Sequence, residues 1–204
     1  VDIVDEEQLK KVFKQHDITS IIHLAARAGV RPSIENPHLY EEVNVHGTLN
    51  ILNLARRHRV KELVIASSSS VYGINTKTPY AETDVIEKQI SPYAVSKRIL
   101  ELMCQCYHHL YQQNIACLRF FTVYGPRGRP DMAPYKFTKA LLEDRPITRF
   151  GDGSTQRDYT FVKDIIAGTL GALGHLEAQT KLKKPVCEII NLGNNKPIEL
   201  KSFI

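Results

Sequence analysis

Apolar residues along this chain switch between a helical period and short unbroken runs. Leu9, Val12 and Phe13 recur at three- and four-residue spacing behind Asp5, Glu6 and Glu7, which predicts a helix from Asp5 to His16 with acids at its positive end. The run from Ser20 through Ile21, Ile22, His23 and Leu24 to Ala26 is continuously apolar, as in a strand buried on both faces. A long amphipathic helix is predicted from Pro37 to Arg57 through Tyr40, Val43, Val45, Leu49, Leu52 and Leu54, and a strand over Leu63–Ala66. From Pro92 onward, Ile99, Leu102, Met103, Tyr107 and Leu110 predict the inner face of a further helix, followed by a strand over Ile115–Phe121. Past Pro126 the texture changes. A Gly/Pro/Arg-rich loop (Arg127–Pro134) precedes a helix over Tyr135–Leu142, a short strand over Ile147–Phe150 and a turn at Gly151, Asp152 and Gly153. Phe161–Leu176 reads as helix and Cys187–Leu192 as strand. Alternating helix and strand signals predict an α/β chain with a parallel sheet: a core over residues 1–126 and a smaller lobe over 127–204, interleaved with it.

Bulk properties narrow the chemistry. A chain of 204 residues can bury one sizeable core. Its formal charge of +5 suits an anionic small molecule. No block of Lys and Arg interleaved with aromatics is present, so no nucleic-acid partner is expected. Neither a signal peptide nor an apolar run of about 18 residues occurs, so no membrane partner and a cytoplasmic location are expected. The cysteines Cys104, Cys106, Cys117 and Cys187 lack metal-ligand spacing and read as reduced, mostly buried thiols, with no metal.

The candidate chemistry lies in Ser91-Pro92-Tyr93-Ala94-Val95-Ser96-Lys97. Tyr93 and Lys97 stand four apart at a helix start, so both leave one face about a turn apart. An ammonium beside a phenol favours phenolate and lowers a pKa ordinarily near ~10, which makes a base. Upstream, Ser67, Ser68, Ser69 and Ser70 follow the apolar run before Val71-Tyr72-Gly73 and supply hydroxyls to the same substrate.

His23-Leu24-Ala25-Ala26, Asn44-Val45-His46-Gly47-Thr48, Ser67 to Gly73, Tyr93 with Lys97, Arg119-Phe120-Phe121, Val123-Tyr124-Gly125-Pro126 and Arg157-Asp158-Tyr159 occur in one order along nearly the whole chain. That ordered set resembles the extended short-chain dehydrogenase/reductases of the NAD-dependent epimerase/dehydratase family, which act on nucleotide sugars. Arg27-Ala28-Gly29-Val30-Arg31-Pro32-Ser33 and Gly128-Arg129-Pro130-Asp131-Met132-Ala133 most resemble the UDP-glucuronate 4-epimerases. The resemblance implies a Rossmann-like doubly wound parallel sheet with a small C-terminal substrate lobe. It also exposes a departure: the G-x-x-G-x-x-G turn that opens such folds, and the strands around it, have no counterpart here. The sequence therefore reads as lacking the first βαβ unit, with a long hydrophobic edge exposed and weak NAD binding by this piece alone.

What the resemblance implies for residues is specific. Tyr93 takes the proton of the sugar 4-hydroxyl, Lys97 tunes it and holds the nicotinamide ribose, and Ser68 shares the 4-hydroxyl. Asp2 and Ile3 meet adenine, although a capping Asp and a core Ile explain them equally. Leu24, Ala25, Ala26, Arg27, Asn44, Ser67, Phe121 and Val123 join Tyr93 and Lys97 in holding NAD. Ser69, Thr122, Arg129, Met132, Phe150 and Arg157 contact the UDP-sugar, Arg157 at the diphosphate and Arg129 with Thr122 at a C6 carboxylate. An Arg129–Asp131 loop network is the plain alternative. Nucleotide-sugar dehydratases carry an Asp-Glu pair, and decarboxylating relatives a Glu, where this chain has Ser69 and Ser70, which favours 4-epimerisation through a 4-keto intermediate. The substrate is then UDP-glucuronate, with a UDP-glucose/UDP-galactose-type epimerase, another nucleotide-sugar epimerase/dehydratase or an inactive fragment as alternatives. A homodimer through the helices at Pro37–Arg57 and Pro92–Gln112 is implied as well.

Overall fold

In a computed structural model, residues 1–149 and 151–204 are described. Two compact units divide the chain: residues 1–119 with 169–191, and residues 120–168 with 192–204. The first contains a four-stranded sheet of order β1-β2-β3-β6. Its strands are β1 (Ser20–His23), β2 (Glu62–Ser68), β3 (Asn114–Phe120) and β6 (Cys187–Leu192). β1 runs parallel to β2, with Ser20 opposite Glu62 and His23 opposite Ile65. Every residue of β2 is buried, as the inner position between β1 and β3 requires.

Helix α1 (Glu6–Gln15) starts where the acids predict: Asp5 caps it, its carboxylate accepting from the Gln8 amide at 2.9 Å. Leu9 and Phe13 from this helix meet Ile51, Leu52, Leu54 and Ala55 of α4 (Gly47–Arg57) in a core closed by Leu63, Ile65, Ile115 and Cys117 of the sheet. A Cβ at Gly47 would lie 2.6 Å from Ile3 Cδ1, so a larger residue there would have to displace the Ile3 side chain. Helices α2 (Val30–Glu35) and α3 (Pro37–Tyr40) lead into α4 through a π-helical segment, Glu41–His46. α5 (Pro92–Tyr111) is capped by Ser91, whose hydroxyl accepts from the Ala94 amide at 3.1 Å. α7 (Val162–Leu182) precedes β6. No helix among the described residues is long and apolar enough to cross a membrane.

The second unit holds a three-stranded sheet, β4 (Thr122–Tyr124), β5 (Gln156–Phe161) and β7 (Pro197–Glu199), together with α6 (Ala133–Leu142) and α8 (Leu200–Phe203). β5 lies parallel to β4 and antiparallel to β7. Tyr159 of this sheet stacks on Phe203 at 4.5 Å.

Four expectations from the sequence are corrected. β1 ends at His23, and Ile22 and Leu24 are 37% and 56% exposed, because this strand has a sheet neighbour on one side only among the described residues. The helix predicted from Pro37 to Arg57 is interrupted by the π turn, which inserts one extra residue into the ladder. On α5 the buried stripe is Ala94, Lys97, Leu100, Glu101 and Cys104, while Leu102 and Leu110 are 48% and 58% exposed. Charged residues take that inner face because their partners are inside. Residues 147–149 form no strand, and Phe150 lies outside the described residues.

Candidate active site

Ser68 ends β2, which carries the chain into a 3₁₀ turn over Ser69–Tyr72. The Ser68 side chain is buried, and its oxygen accepts from the Ser70 amide at 3.2 Å, capping that turn. Its own proton remains to be donated. Ser69 and Ser70 are half-buried beside it.

Lys97 comes from the facing helix α5. Only 3% exposed, its Nζ donates to the carbonyl of Ala66 on β2 at 2.7 Å. An ammonium has three N–H donors, and this is the one hydrogen bond it makes among the described residues. Burial pulls its pKa down to about 8, against a small opposing contribution from Cys117. Tyr93 lies one helical turn earlier, half-buried, its ring edge-on to Tyr40 at 6.1 Å. Tyr40 in turn donates through its hydroxyl to the carbonyl of Ala28 at 3.0 Å.

Asn44 lies in the π turn and is fully buried. Its Oδ1 accepts from the Arg27 amide at 2.7 Å, while Nδ2 donates to the Arg27 carbonyl at 3.0 Å and to Ser96 Oγ at 2.9 Å. Ser96 Oγ donates onward to the Tyr93 carbonyl at 2.9 Å. One carboxamide therefore ties the loop after β1 to the helix carrying Tyr93 and Lys97. Extra helical residues of this kind recur at functional sites. Leu24, Ala25 and Arg27 are exposed and Ala26 half-buried in that loop. His23 just before it bonds through Nε2 to Thr48 Oγ1 at 2.9 Å, as a satisfied core histidine. Burial first, then the Lys97 charge, push its pKa down to about 4.

A buried ionic network behind these residues was not predicted. Glu101, one turn beyond Lys97 on α5, receives Arg119 Nε and Nη2 at 2.8 and 2.9 Å, Arg98 Nη1 at 2.9 Å and Ser67 Oγ at 2.7 Å. Burial pushes the Glu101 carboxyl up, but these donors outweigh it and hold it below its ordinary range. Arg119 also donates to the Tyr72 hydroxyl at 3.0 Å, and Tyr72 donates to Asn191 Oδ1 at 2.7 Å. Ser67 thus spends its proton inside the core. A Glu four residues after Lys97 was the available signal, and it is legible only once Arg119 is known to face it.

At the chain start, Asp2 accepts from the Val4 amide at 3.0 Å through one carboxylate oxygen, and Ile3 packs against the core. In the second unit, Thr122 pairs in register with Tyr159, which places Thr122 and Arg157 on one face of its sheet. Phe121, Thr122 and Val123 are half-buried. Arg157 is exposed and donates to the Gln156 carbonyl at 2.8 Å. Arg129 instead forks onto Asp131, with Nε to Oδ1 at 3.0 Å, which holds the Asp131 carboxyl below its usual range. Met132 is half-buried at the start of α6. Phe150 lies outside the described residues. No cluster of three or more His, Cys, Asp or Glu is placed to hold a metal among the described residues.

Known proteins are similar to this chain in sequence and fold. A UDP-glucuronate 4-epimerase of Thermodesulfobacterium geofontis is 45% identical over 206 residues, which cover all of this chain and 60% of that protein. The crystal structure of a UDP-glucuronic acid 4-epimerase from Bacillus cereus, in complex with UDP-glucuronic acid and NAD, is 37% identical. It superposes with a TM-score of 0.85 over all of this chain and 62% of that one. A UDP-glucose 4-epimerase from Thermotoga maritima, solved with UDP-glucose, gives a TM-score of 0.90 at 29% identity over 64% of its length. This chain thus spans about 60% of the length of these proteins, and its fold is the Rossmann-like α/β sheet they share. The NAD dependent epimerase/dehydratase family matches residues 1–193, and the chain belongs to that family.

Proposed function

We propose that the protein of which this chain forms part is an NAD-dependent nucleotide-sugar 4-epimerase that interconverts UDP-glucuronate and UDP-galacturonate. The observation carrying this reading is Lys97, a buried ammonium one helical turn from Tyr93 with donors left to give. Relatives bearing that activity in their names, at 45% and 37% identity, support it.

The residues present fit the dinucleotide. When bound, NAD supplies the acceptor for the hydride leaving sugar C4 and its donor on return. Lys97 offers its remaining N–H groups to ribose hydroxyls, and the open Leu24–Ala26 stretch takes the pyrophosphate side. Asn44 positions that stretch through Arg27, since its own amide protons are spent. Asp2 keeps one carboxylate oxygen for adenine beside Ile3, and Ser67 retains a lone pair. Phe121 and Val123 are assigned to the nicotinamide by family resemblance.

Tyr93 takes the proton of the 4-hydroxyl and later returns it to the other epimer. Lys97 favours the phenolate this requires, and falls silent as pH rises through about 8. Ser68, its oxygen already accepting from Ser70, donates its proton to the same sugar oxygen, with Ser69 beside it. Binding energy comes from the UDP end, because the hexose must turn over between the two transfers. Arg157 has its fork available for the diphosphate, and Met132 and Phe150 are assigned to the uridine. Thr122 and Arg129 face a carboxylate, for which Arg129 must exchange Asp131. That existing pair favours a second reading, a UDP-glucose/UDP-galactose-type epimerase with no carboxylate to neutralise. Val95 and Leu102, seven residues apart on α5 and 44% and 48% exposed, give a homodimer an apolar face.

Full-length protein should release NAD on denaturation, seen in its ultraviolet spectrum, and turn over UDP-glucuronate at least about tenfold more efficiently than UDP-glucose. The reverse preference would support the second reading. A protein that releases no nucleotide and converts neither sugar contradicts both.

A further inference from the structure

The first unit carries a second concave site that the proposed reaction does not use. Ser68 ends β2, whereas residues 59–61, 112–114 and 183–185 lie where β2, β3 and β6 begin. Together with the last turns of α4, α5 and α7, these residues line a concave pocket of about 440 Å³ that is open to solvent. That volume falls in the usual range of small-molecule sites.

Its lining is strongly one-signed. Arg56, Arg59, Lys61, Lys183 and Lys184 contribute five cations, and no carboxylate lines the cavity. None of the five forms an ion pair among the described residues. Three helix C-termini end here, and each carries roughly half a negative charge. Five cations exceed what those ends neutralise. Arg59 and Lys183 moreover stand in left-handed backbone, at φ 57° and 55°, where glycine or asparagine is the easier residue.

Gln113 stands in the same wall at 6% exposure, with Oε1 and Nε2 buried and without a hydrogen-bond partner among the described residues. Those atoms are closed even to water, so the amide belongs to the wall behind the cations and not to the surface a ligand would touch.

We propose that this cavity binds a small phosphorylated molecule. Its phosphate rests among Arg59, Lys61, Lys183 and Lys184. A concave site of this volume suits a small molecule better than a nucleic-acid backbone, which tracks exposed basic surface.

The test uses the full-length protein with saturating UDP, so that the proposed sugar site is occupied. Calorimetric titration with glucose 6-phosphate and with inorganic pyrophosphate should each give saturable binding. The double variant Arg59→Asn/Lys183→Asn removes two charges at positions whose backbone asparagine tolerates, and should weaken both probes at least tenfold. Gln113→Met, which alters only the wall behind the cations, should raise the melting temperature of the free protein and change the affinity for either probe less than twofold. Absence of saturable binding, unchanged affinity in the double variant, or displacement of the probes by duplex RNA with higher affinity would overturn the site.

Discussion

Lys97 of the first unit is 3% exposed, whereas Arg157 of the second lies open to solvent. The surroundings of Lys97 are fixed from several directions: Ala66 takes its proton donor, Asn44 ties its helix to the loop after β1, and Glu101 anchors Arg119 and Ser67 one turn away. Among the described residues, Arg129 and Arg157 bond only to groups within two residues of them, Asp131 and the Gln156 carbonyl. Under the proposed function the two regions have different tasks. Proton transfer at one atom needs groups that cannot move or exchange with water, which burial and a saturated network provide. Gripping a diphosphate needs a fork that can be reached and that trades a weak local partner for a strong one.

Substitutions sharpen this contrast in order of size. Arg119→Met leaves the Glu101 carboxylate buried without its main partner and should cost about 3–5 kcal/mol by denaturant unfolding, whereas replacing Glu101 and Arg119 together by Leu and Met should cost far less. Comparable single- and double-variant losses would show that the network does not act as a unit. His23 gives the next effect. Its folded pKa of about 4 lies below the ordinary 6.5, so between those values the unfolded chain binds a proton that the native state refuses. Stability should therefore fall as pH drops from about 6.5 to 4, by at most ~3 kcal/mol, and His23→Gln should flatten that slope. Asn44→Ala removes three hydrogen bonds and should cost about 1–3 kcal/mol, with loss of NAD affinity as the Arg27 loop loosens. Arg157→Ala should shift stability by less than about 0.5 kcal/mol and act instead on the KM for the UDP-sugar. A change in kcat alone would remove Arg157 from the diphosphate.

Much of the architecture follows from local pattern. Asp5 capping α1, Ser91 with Pro92 opening α5, and the apolar strand over Cys187–Leu192 are each decided by neighbours within a few residues. What the pattern misses is decided at long range. Leu102 has the periodicity of a core residue yet is exposed, while Glu101 beside it is fully buried because Arg119, Ser67 and Arg98 converge on it. The π turn is equally invisible in Glu41–His46, since its reason is the reach of Asn44 to Arg27 and Ser96. In the candidate site, the Tyr93/Lys97 spacing and the serine run are legible as chemistry. The capping bond at Ser68 and the spent proton of Ser67 emerge only from packing.

In the proposed reaction Tyr93, backed by Lys97, moves the proton of the sugar 4-hydroxyl. This role is tested most directly by following UDP-glucuronate conversion by proton NMR in full-length wild-type protein and in Tyr93→Phe, with NAD content and unfolding midpoint measured on both. Tyr93→Phe should lose about 10²–10⁴-fold in kcat, with NAD content and stability retained. A Tyr93→Phe protein that epimerises at the wild-type rate would contradict this role.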